Sequence, residues 1–424
     1  MTLSNRALEA EEGSKDMVIW DVITNLWDQS NPDGIVSLGV AENTLMHDVL
    51  KKHIHGNIAL SNLAFTYGDG TTGTKRAKQA VARFLTRQLK PFRAIEPAHI
   101  SMTNGCSAAI EHLSWAIADP GDAILLGQPY YGTFIPDLTC RFGAKLLPVP
   151  FNEVDPLGED AVAKYEEVIV DAQKKGLKVK GLVISHPHNP LGRCYSRSAL
   201  IGLMKLCQKY QVHFISDEIY ALSTWPNTVD TNPPVPFESA LTIDTTGVID
   251  PSLVHVLWGM SKDFGANGIR VGALISQANP SLHTALVAVG LYSSVSSISD
   301  HVTINLLEDD AFVESYMAEN RKKLAAQYER AVSWAKKNDI TYAPGVNAAF
   351  FLWVDLGKAY RARHTVEDGK DITGLVMKKL LEKKVFLASG EAFGSEKPGW
   401  FRIVFSHPDE YLDMGLERVV EALQ

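Results

Sequence analysis

Cysteines, long apolar runs and clusters of basic residues are scarce in this sequence. The 424 residues include 4 cysteines, and none of these has the spacing of a metal site or a redox pair. No apolar stretch approaches the roughly 18 residues that a membrane-spanning helix needs. The net charge is −8 and no Lys/Arg-rich run interrupts it, which excludes the usual electrostatic pattern of a nucleic-acid-binding protein. These absences predict a cytoplasmic protein with reduced thiols and without a metal, a membrane anchor or a nucleic-acid partner.

The rest of the composition is that of an ordinary globular protein. With 46% apolar and 21% charged residues, the chain has ample material for a core. Its length fits two or three domains. The first 15 residues are polar and acidic, so we expect neither a secretory signal nor an Arg-rich transit peptide.

The order of the predicted strands and helices indicates an α/β fold. From residue 99 onward, short apolar runs alternate with amphipathic stretches, which is typical of a doubly wound, mostly parallel sheet. After residue 341 the pattern changes to that of a smaller α+β domain. We expect residues 1–55 to form an N-terminal arm and part of the small domain, 56–300 a large cofactor-binding domain, and 301–424 the C-terminal small domain.

Polar residues follow three predicted strands of this sheet. Asn189 lies in a proline-rich turn, Asp217 ends the next strand, and Lys262 follows the strand after it. The carboxyl ends of parallel strands meet at one edge, so we expect the three side chains to converge. A lysine among apolar residues loses its proton easily and can attack a carbonyl group, while a carboxylate can keep a pyridine nitrogen protonated. The combination predicts pyridoxal 5′-phosphate (PLP), held as a Schiff base on the catalytic Lys262.

A phosphate group would find donors on both sides of this lysine. Ser261 and Arg270 offer a hydroxyl group and a planar guanidinium group. Gly105, Cys106 and Ser107 open a predicted helix, whose N-terminal N–H groups favour an anion. Cys106 could equally be a small buried filler of the core.

Several other candidate site residues have two possible interpretations. Tyr130 and Tyr131 end a strand and could stack on a heteroaromatic ring or pack at an interface. Glu42 could face the site or cap the helix that begins near residue 44. Arg402 has apolar neighbours and needs an anionic partner, which could be a structural carboxylate or the carboxylate of a substrate.

These motifs resemble those of the fold-type I PLP enzymes of the class I/II aminotransferase family over nearly the whole chain. The resemblance rests on Asn-Pro-Leu-Gly at 189–192, Asp-Glu-Ile-Tyr at 217–220, and Ser261-Lys262 with Arg270. Within the family, the segments 38–43, 350–356 and 398–405 resemble those of 1-aminocyclopropane-1-carboxylate (ACC) synthases.

The resemblance implies individual roles. Lys262 would be the Schiff-base lysine and proton shuttle, and Asp217 would bind the pyridine nitrogen. Asn189 and Tyr220 would bind the phenolic oxygen, Tyr131 or Tyr130 would stack on the ring, and Arg402, together with Glu42, would bind the substrate. The phosphate would be surrounded by Gly105, Cys106, Ser107, Ser261 and Arg270. The enzyme would be a homodimer with composite active sites, in which Tyr67 reaches into the neighbouring site.

The sequence departs from the family pattern in three places. Gly259 stands where the family often has Ser, so one phosphate-binding hydroxyl is missing. The spacing from Tyr67 to Arg76 differs from that of plant-type ACC synthases, so S-adenosylmethionine need not be the substrate. The stretch between Arg270 and Arg321 contains no Lys or Arg, which removes the usual clamp for a dicarboxylate and argues against an aspartate aminotransferase.

The pattern resembles the ACC-synthase-like proteins of filamentous fungi, some of which are carbon–sulfur lyases in pathways to sulfur-bridged natural products. We therefore expect a PLP-dependent lyase that eliminates a sulfur leaving group from an α-amino acid. An aminotransferase is the alternative, because both reactions share the same early steps. A PLP-binding regulator is disfavoured, because Lys262, Asp217 and Arg402 are all present and no basic helix-turn-helix segment precedes residue 16.

Overall fold

The computed structural model of the protein describes residues 3–15, 18–231, 234–367 and 369–424. In these ranges the strands are β1 (Val36–Ser37), β2 (Ile100–Thr103), β3 (Ala123–Gly127), β4 (Lys145–Val149), β5 (Val179–Ser185), β6 (His213–Asp217), β7 (Val254–Gly259), β8 (Gly272–Ile275), β9 (Thr341–Tyr342), β10 (Phe351–Asp355), β11 (Val385–Phe386), β12 (Ala388–Ser389) and β13 (Trp400–Val404). The helices are α1 (Asn5–Lys15), α2 (Val18–Thr24), α3 (His47–Asn57), α4 (Lys75–Leu89), α5 (Cys106–Ile117), α6 (Phe134–Thr139), α7 (Ala161–Lys174), α8 (Arg197–Tyr210), α9 (Met260–Asp263), α10 (Pro280–Gly290), α11 (Ser297–Glu308), α12 (Asp310–Lys337), α13 (Leu356–Arg361), α14 (Ile372–Glu382) and α15 (Asp409–Leu423).

Strands β2 to β8 form the large central sheet, in the order β2-β8-β7-β6-β5-β3-β4. The pairs from β7 through β6, β5 and β3 to β4 are parallel, whereas β8 runs antiparallel to both β7 and β2. Every residue of β7 is buried, as expected for a strand that is covered on both faces. The prediction of a mostly parallel, doubly wound sheet is therefore confirmed.

Helices cover both faces of the large sheet because successive strand residues point to opposite sides. Phe214 and Trp258 belong to the core on one face, where they meet apolar residues of α4, α7 and α8. Ile215 and Leu257 belong to the core on the other face, with residues of α5, α6 and α10. The carboxyl ends of the strands stay uncovered by these helices and form the edge where the cleft lies.

A second, antiparallel sheet is built from the C-terminal part of the chain, in the order β12-β13-β10-β9. The N-terminal strand β1 pairs in parallel with β11, and Val36 and Leu38 pack into the same core as β10, β13 and α15. Residues from both ends of the chain thus share one core. The domain boundaries at residues 55 and 300 stay a prediction.

Within the described ranges, no helix combines the length and the apolar character needed to cross a membrane. The same ranges contain no group of three or more His, Cys, Asp or Glu side chains arranged to hold a metal ion.

Replacing Phe214 by Ala is expected to lower the free energy of unfolding by about 3–5 kcal/mol, because it leaves a cavity in the core of the large sheet. Phe214 is 0% exposed, whereas Phe92 is 59% exposed. Phe92→Ala is therefore the matched control and should change the free energy by less than about 0.5 kcal/mol. Equilibrium unfolding in guanidinium chloride measures both values. Equal effects of the two substitutions would contradict this description of the core.

Candidate active site

A cleft opens at the carboxyl ends of β5, β6 and β7. It encloses about 540 Å³, part of which is open to solvent. Its lining residues are Cys106, Ser107, Ile110, Tyr131, Ser185, Asn189, Asp217, Ile219, Tyr220, Ser261, Lys262, Asn267 and Arg270. The structure thus brings together most of the site residues expected from the sequence, and it does so at the edge where they were expected.

Lys262 projects into this cleft from α9, the short helix that directly follows β7. Its Nζ donates a hydrogen bond to the Ala41 carbonyl oxygen at 2.6 Å, and the Asn267 amide donates to the same oxygen at 3.3 Å. Burial, and then the positive charge of Arg402, lower the pKa of Lys262 to about 8. A neutral amine is therefore accessible near physiological pH, as nucleophilic attack and proton abstraction both require.

Asp263, the residue after Lys262, helps to shape the cleft and was not identified from the sequence. Its buried carboxyl group accepts hydrogen bonds from the Leu222 N–H at 3.2 Å, the Ser223 hydroxyl at 2.8 Å and the Trp258 indole N–H at 3.1 Å. These bonds connect the end of β7 and the lysine-bearing helix to the loop that carries Tyr220. Asp263 therefore positions two walls of the cleft relative to each other.

Asp217 ends β6 on the floor of the cleft. Its carboxyl group accepts a hydrogen bond from the Ile219 N–H at 3.3 Å. Burial is the main cause that raises its pKa to about 7, and the nearby Asp137 adds to the shift while Lys262 opposes it. A buried carboxyl group with so little stabilisation of its charge fits a cationic N–H donor, such as the protonated pyridine nitrogen of PLP.

Arg402 lies buried on β13 and joins the two sheets at the cleft. Its Nη1 donates to the Asn189 Oδ1 at 2.8 Å, and its Nη2 donates to the Gly39 carbonyl oxygen at 2.6 Å. The guanidinium carbon lies 4.5 Å from the centre of the Phe351 ring and 4.7 Å from that of Phe393. Burial lowers the pKa of Arg402 to about 10, so the group remains a cation at neutral pH.

Arg402 has no carboxylate partner among the residues that the structure describes. No Asp or Glu in the described part of the chain forms an ion pair with it, and its Nε is buried without a hydrogen-bond partner. A buried guanidinium group in this state favours an external anion. The contact also orients Asn189: because Oδ1 is engaged, the amide N–H₂ is left as the donor.

The start of α5 and the Arg270 loop form a surface that we call the phosphate cradle, made of Gly105, Cys106, Ser107, Ser261 and Arg270. Gly105 has a φ of 111°, and a Cβ atom there would overlap the Arg270 guanidinium group. Arg270 donates to the Asn267 carbonyl oxygen at 3.0 Å, and no ion pair to it is found among the described residues. Helix N–H groups, a hydroxyl group and a free guanidinium group together suit a phosphate.

The structure also gives a reason for the unusual Gly259. A Cβ atom at this position would lie 2.6 Å from the Val271 carbonyl oxygen and 3.0 Å from the Cys106 Sγ. The thiol and the neighbouring strand therefore occupy the space that a serine would need. The backbone contact alone, at 2.6 Å, leaves no room for the side chain of a serine.

The structure distinguishes between the two tyrosines that could stack on the cofactor ring. Tyr131 lines the cleft, and its ring lies edge-on to that of Phe134, with 5.3 Å between the ring centres. Tyr130 is not among the lining residues, and its backbone N–H donates to the Phe393 carbonyl oxygen at 2.8 Å. Tyr220 lines the opposite part of the cleft, and burial raises the pKa of its phenol, which keeps it a neutral donor.

Besides Tyr130, four site candidates lie outside the cleft lining: Gly105, Arg402, Glu42 and Tyr67. The charge of Glu42 raises the pKa of Lys262, which places its carboxylate near the amine. Tyr67 is fully exposed, at 101%, and is not part of the cleft of its own chain. Conversely, the sequence reasoning did not single out the cleft residues Ile110, Ser185, Ile219 and Asn267.

Comparison with known proteins identifies relatives along most of the chain. The 1-aminocyclopropane-1-carboxylate synthase-like protein 1 of Takifugu rubripes is 32% identical over 402 residues, which are 93% of this chain and 62% of that protein. The 1-aminocyclopropane-1-carboxylate synthase 1 of Oryza sativa subsp. indica is 32% identical and is covered to 81%. The probable aminotransferase sirI of Leptosphaeria maculans is 30% identical and is covered to 91%. The chain thus spans less than two thirds of the first of these proteins.

Solved structures support the same fold. An aspartate aminotransferase tetra mutant of Thermus thermophilus, complexed with tryptophan, superposes with a TM-score of 0.78 at 20% identity, with all of both chains covered. The multiple substrate aminotransferase of Thermococcus profundus gives a TM-score of 0.78 at 20% identity, with 99% of this chain and 97% of that chain covered.

The family model described as "Aminotransferase class I and II" matches residues 33–419. Enzymes of this family use pyridoxal 5′-phosphate, and the cleft residues fit that group on every side. The match extends from the strand that precedes Glu42 to the last helix. The chain therefore belongs to the class I and II aminotransferase family and is a PLP-dependent enzyme.

Proposed function

We propose that this enzyme is a lyase that eliminates a sulfur leaving group from an α-amino acid. The observation that carries the proposal is the position of the cationic Arg402 directly behind the cleft, where it bonds to Asn189 and its charge acts on the Lys262 amine, while no carboxylate partner for it exists among the described residues. Such a pair can bind the α-carboxylate of an amino acid and remove its α-proton. Relatives named 1-aminocyclopropane-1-carboxylate synthase and synthase-like support a lyase rather than a transferase.

Each residue at the cleft would have a separate role in the reaction. When bound, PLP supplies an electron sink for the carbanion that forms at the α-carbon. Asp217 would keep the pyridine nitrogen protonated, while the Asn189 amide and the Tyr220 hydroxyl would donate to the phenolic oxygen. Lys262 would take the α-proton, and Arg402 would fix the carboxylate so that the bond to be broken has the required orientation. Tyr131 would cover the ring.

The phosphate cradle would hold the other end of the cofactor. The backbone N–H groups at Cys106 and Ser107, the Ser261 hydroxyl and the Arg270 guanidinium group would be its donors. Anchors at both ends of the cleft would restrict the substrate to one orientation.

A cytoplasmic location of the protein remains a prediction.

An aminotransferase is the second candidate. The Leptosphaeria maculans relative, which is named a probable aminotransferase, is covered to 91% of its length. In that reaction Lys262 would both take up a proton and give one back, and no leaving group would depart. The same residues serve both reactions, so the geometry of the cleft does not separate them.

We also infer that the active enzyme is a homodimer. Two segments, 61–67 and 287–298, expose large apolar side chains, and they are neighbours in space because residues 62–65 contact α11, which begins at Ser297. The exposed residues are Leu63, Phe65, Tyr67, Val287, Leu291, Tyr292 and Ile298. A second copy of the chain would bury this surface and bring Tyr67 towards the neighbouring cleft.

Replacement of Lys262 by Ala should abolish the visible absorbance of the lysine-bound cofactor. It should also reduce turnover by on the order of 10³-fold or more, because the nucleophile and the base are removed together. Absorbance spectra and steady-state assays of the purified protein measure both effects. Lys205→Ala removes an exposed lysine far from the cleft lining and should change neither. A yellow and active Lys262→Ala enzyme would rule out the proposed role.

The reaction type can be assigned by product analysis. Incubation with cysteine conjugates, methionine or S-adenosylmethionine, in the absence of any 2-oxo acid, should release the sulfur-containing leaving group over many turnovers. A strict requirement for a 2-oxo acid, together with formation of the corresponding amino acid, would instead identify an aminotransferase. Mass spectrometry of the products distinguishes the two outcomes for each substrate.

Phe65→Glu should convert the dimer into a monomer at micromolar concentration, because it places a charge in the centre of the buried apolar surface. Size-exclusion chromatography with light scattering measures the mass directly. Phe92→Glu makes the same change at an exposed phenylalanine outside the two segments and should leave the dimer intact. A wild-type enzyme that is monomeric at this concentration would refute the inference.

A further inference from the structure

Asn267 lines the cleft and contacts groups at both of its reactive ends. Its side-chain amide donates to the Ala41 carbonyl oxygen at 3.3 Å, and the Lys262 amine donates to the same oxygen at 2.6 Å. Its backbone carbonyl oxygen accepts a hydrogen bond from the Arg270 guanidinium group at 3.0 Å. One residue is thus connected to the acceptor of the lysine and to the phosphate cradle.

The segment around Ala41 is otherwise held by residues of the small sheet or next to it. Arg402 donates to the Gly39 carbonyl oxygen at 2.6 Å, and the Ser406 hydroxyl donates to the Glu42 carbonyl oxygen at 2.6 Å. The carbonyl oxygen of Ala41 itself faces the side of the cleft that carries the lysine. The position of this acceptor therefore depends on how the two sides of the cleft meet, and a second donor from the lysine side fixes it.

Packing alone does not account for an asparagine at position 267. The Oδ1 atom of Asn267 is shielded from solvent and has no hydrogen-bond partner in the described part of the chain. A buried oxygen atom in this state costs free energy, which an apolar side chain of the same size would avoid. What the amide provides, and such a side chain does not, is the N–H group that is directed at the Ala41 carbonyl oxygen.

We propose that Asn267 is a positioning residue for the Lys262 amine. By holding the Ala41 carbonyl in place, its amide keeps an acceptor ready for the free amine and limits the orientations of a long, flexible side chain. When the amine leaves this oxygen to take the α-proton, the amide stays bonded and preserves the place to which the amine returns. The inference rests on the proposed role of Lys262 as nucleophile and base, and it holds for a lyase and for an aminotransferase.

The test follows the attachment of PLP to the full-length enzyme from which the cofactor has been removed. In this reaction the Lys262 amine adds to the aldehyde carbon of PLP and a water molecule leaves. The growth of visible absorbance in a stopped-flow instrument therefore reports the rate at which a correctly placed amine attacks. Calorimetric titration with pyridoxamine 5′-phosphate, which has no aldehyde, measures the non-covalent affinity of the same cleft separately.

Asn267→Leu keeps the size of the side chain and removes its N–H group. It should slow the covalent step about 3- to 10-fold, which is the equivalent of one hydrogen bond. The dissociation constant of pyridoxamine 5′-phosphate should change by less than about twofold, because the backbone carbonyl that holds Arg270 remains. Asn5→Leu makes the same substitution at an exposed asparagine outside the cleft lining, and this control should change neither value.

Asn267→Asp uses a charge to test the proximity to the amine, and it keeps the experiment decisive if Asn267→Leu does not fold. Besides burial, four neighbours act on the pKa of the Lys262 amine and stay unchanged by this substitution: Arg402, Glu42, Arg270 and Cys106. A carboxylate at position 267 should raise the pH midpoint of the covalent step by about one pH unit, because it favours the protonated amine. Asn5→Asp is the control and should leave the midpoint where it is in the wild type.

The outcomes separate this inference from the proposed function. An unchanged rate in Asn267→Leu, or an unchanged midpoint in Asn267→Asp, would overturn the positioning role. A loss of pyridoxamine 5′-phosphate affinity as large as the loss of rate would also overturn it, because the substitution would then have damaged the cleft as a whole. A wild type that takes up PLP without visible absorbance would refute the role of Lys262, and with it both the proposed function and this inference.

Discussion

The hydrogen bond from Arg402 to Asn189 is the contact on which the geometry of the cleft depends. It connects β13 of the small sheet to the loop that follows β5 of the large sheet, and a second bond continues to the Gly39 carbonyl oxygen. One buried guanidinium group thereby joins three distant parts of the chain. It also orients the Asn189 amide and leaves a positive charge that the described residues do not neutralise, which is the basis of the proposed binding of a substrate carboxylate.

Burial changes the ionisation of the other reactive groups in opposite directions. It lowers the pKa of Lys262 to about 8 and raises that of Asp217 to about 7, because desolvation disfavours either charge. Both shifts favour the chemistry: a neutral amine can attack and abstract protons, and an under-stabilised carboxylate gains by meeting a pyridinium group.

Much of this site could be predicted, because its key residues end or follow buried strands. Asp217 and Lys262 stand at recognisable strand ends, and parallel strands bring their carboxyl ends to one edge. The choice between Tyr130 and Tyr131 could not be made in this way, since adjacent residues leave a strand end in different directions. Asp263 could not be identified in this way, because its importance comes from hydrogen bonds to Leu222 and Ser223, which are distant in sequence.

The sequence by itself determined the fold class, the family and the cofactor, because these depend on the order of strands and helices and on local motifs. The tertiary structure decided what partners each charged group has. Whether Arg402 meets a carboxylate and why Gly259 admits no side chain are questions of packing between segments that lie up to hundreds of residues apart. A local sequence pattern does not specify how close in space two such segments lie. Desolvation and hydrogen bonding depend on this spatial proximity.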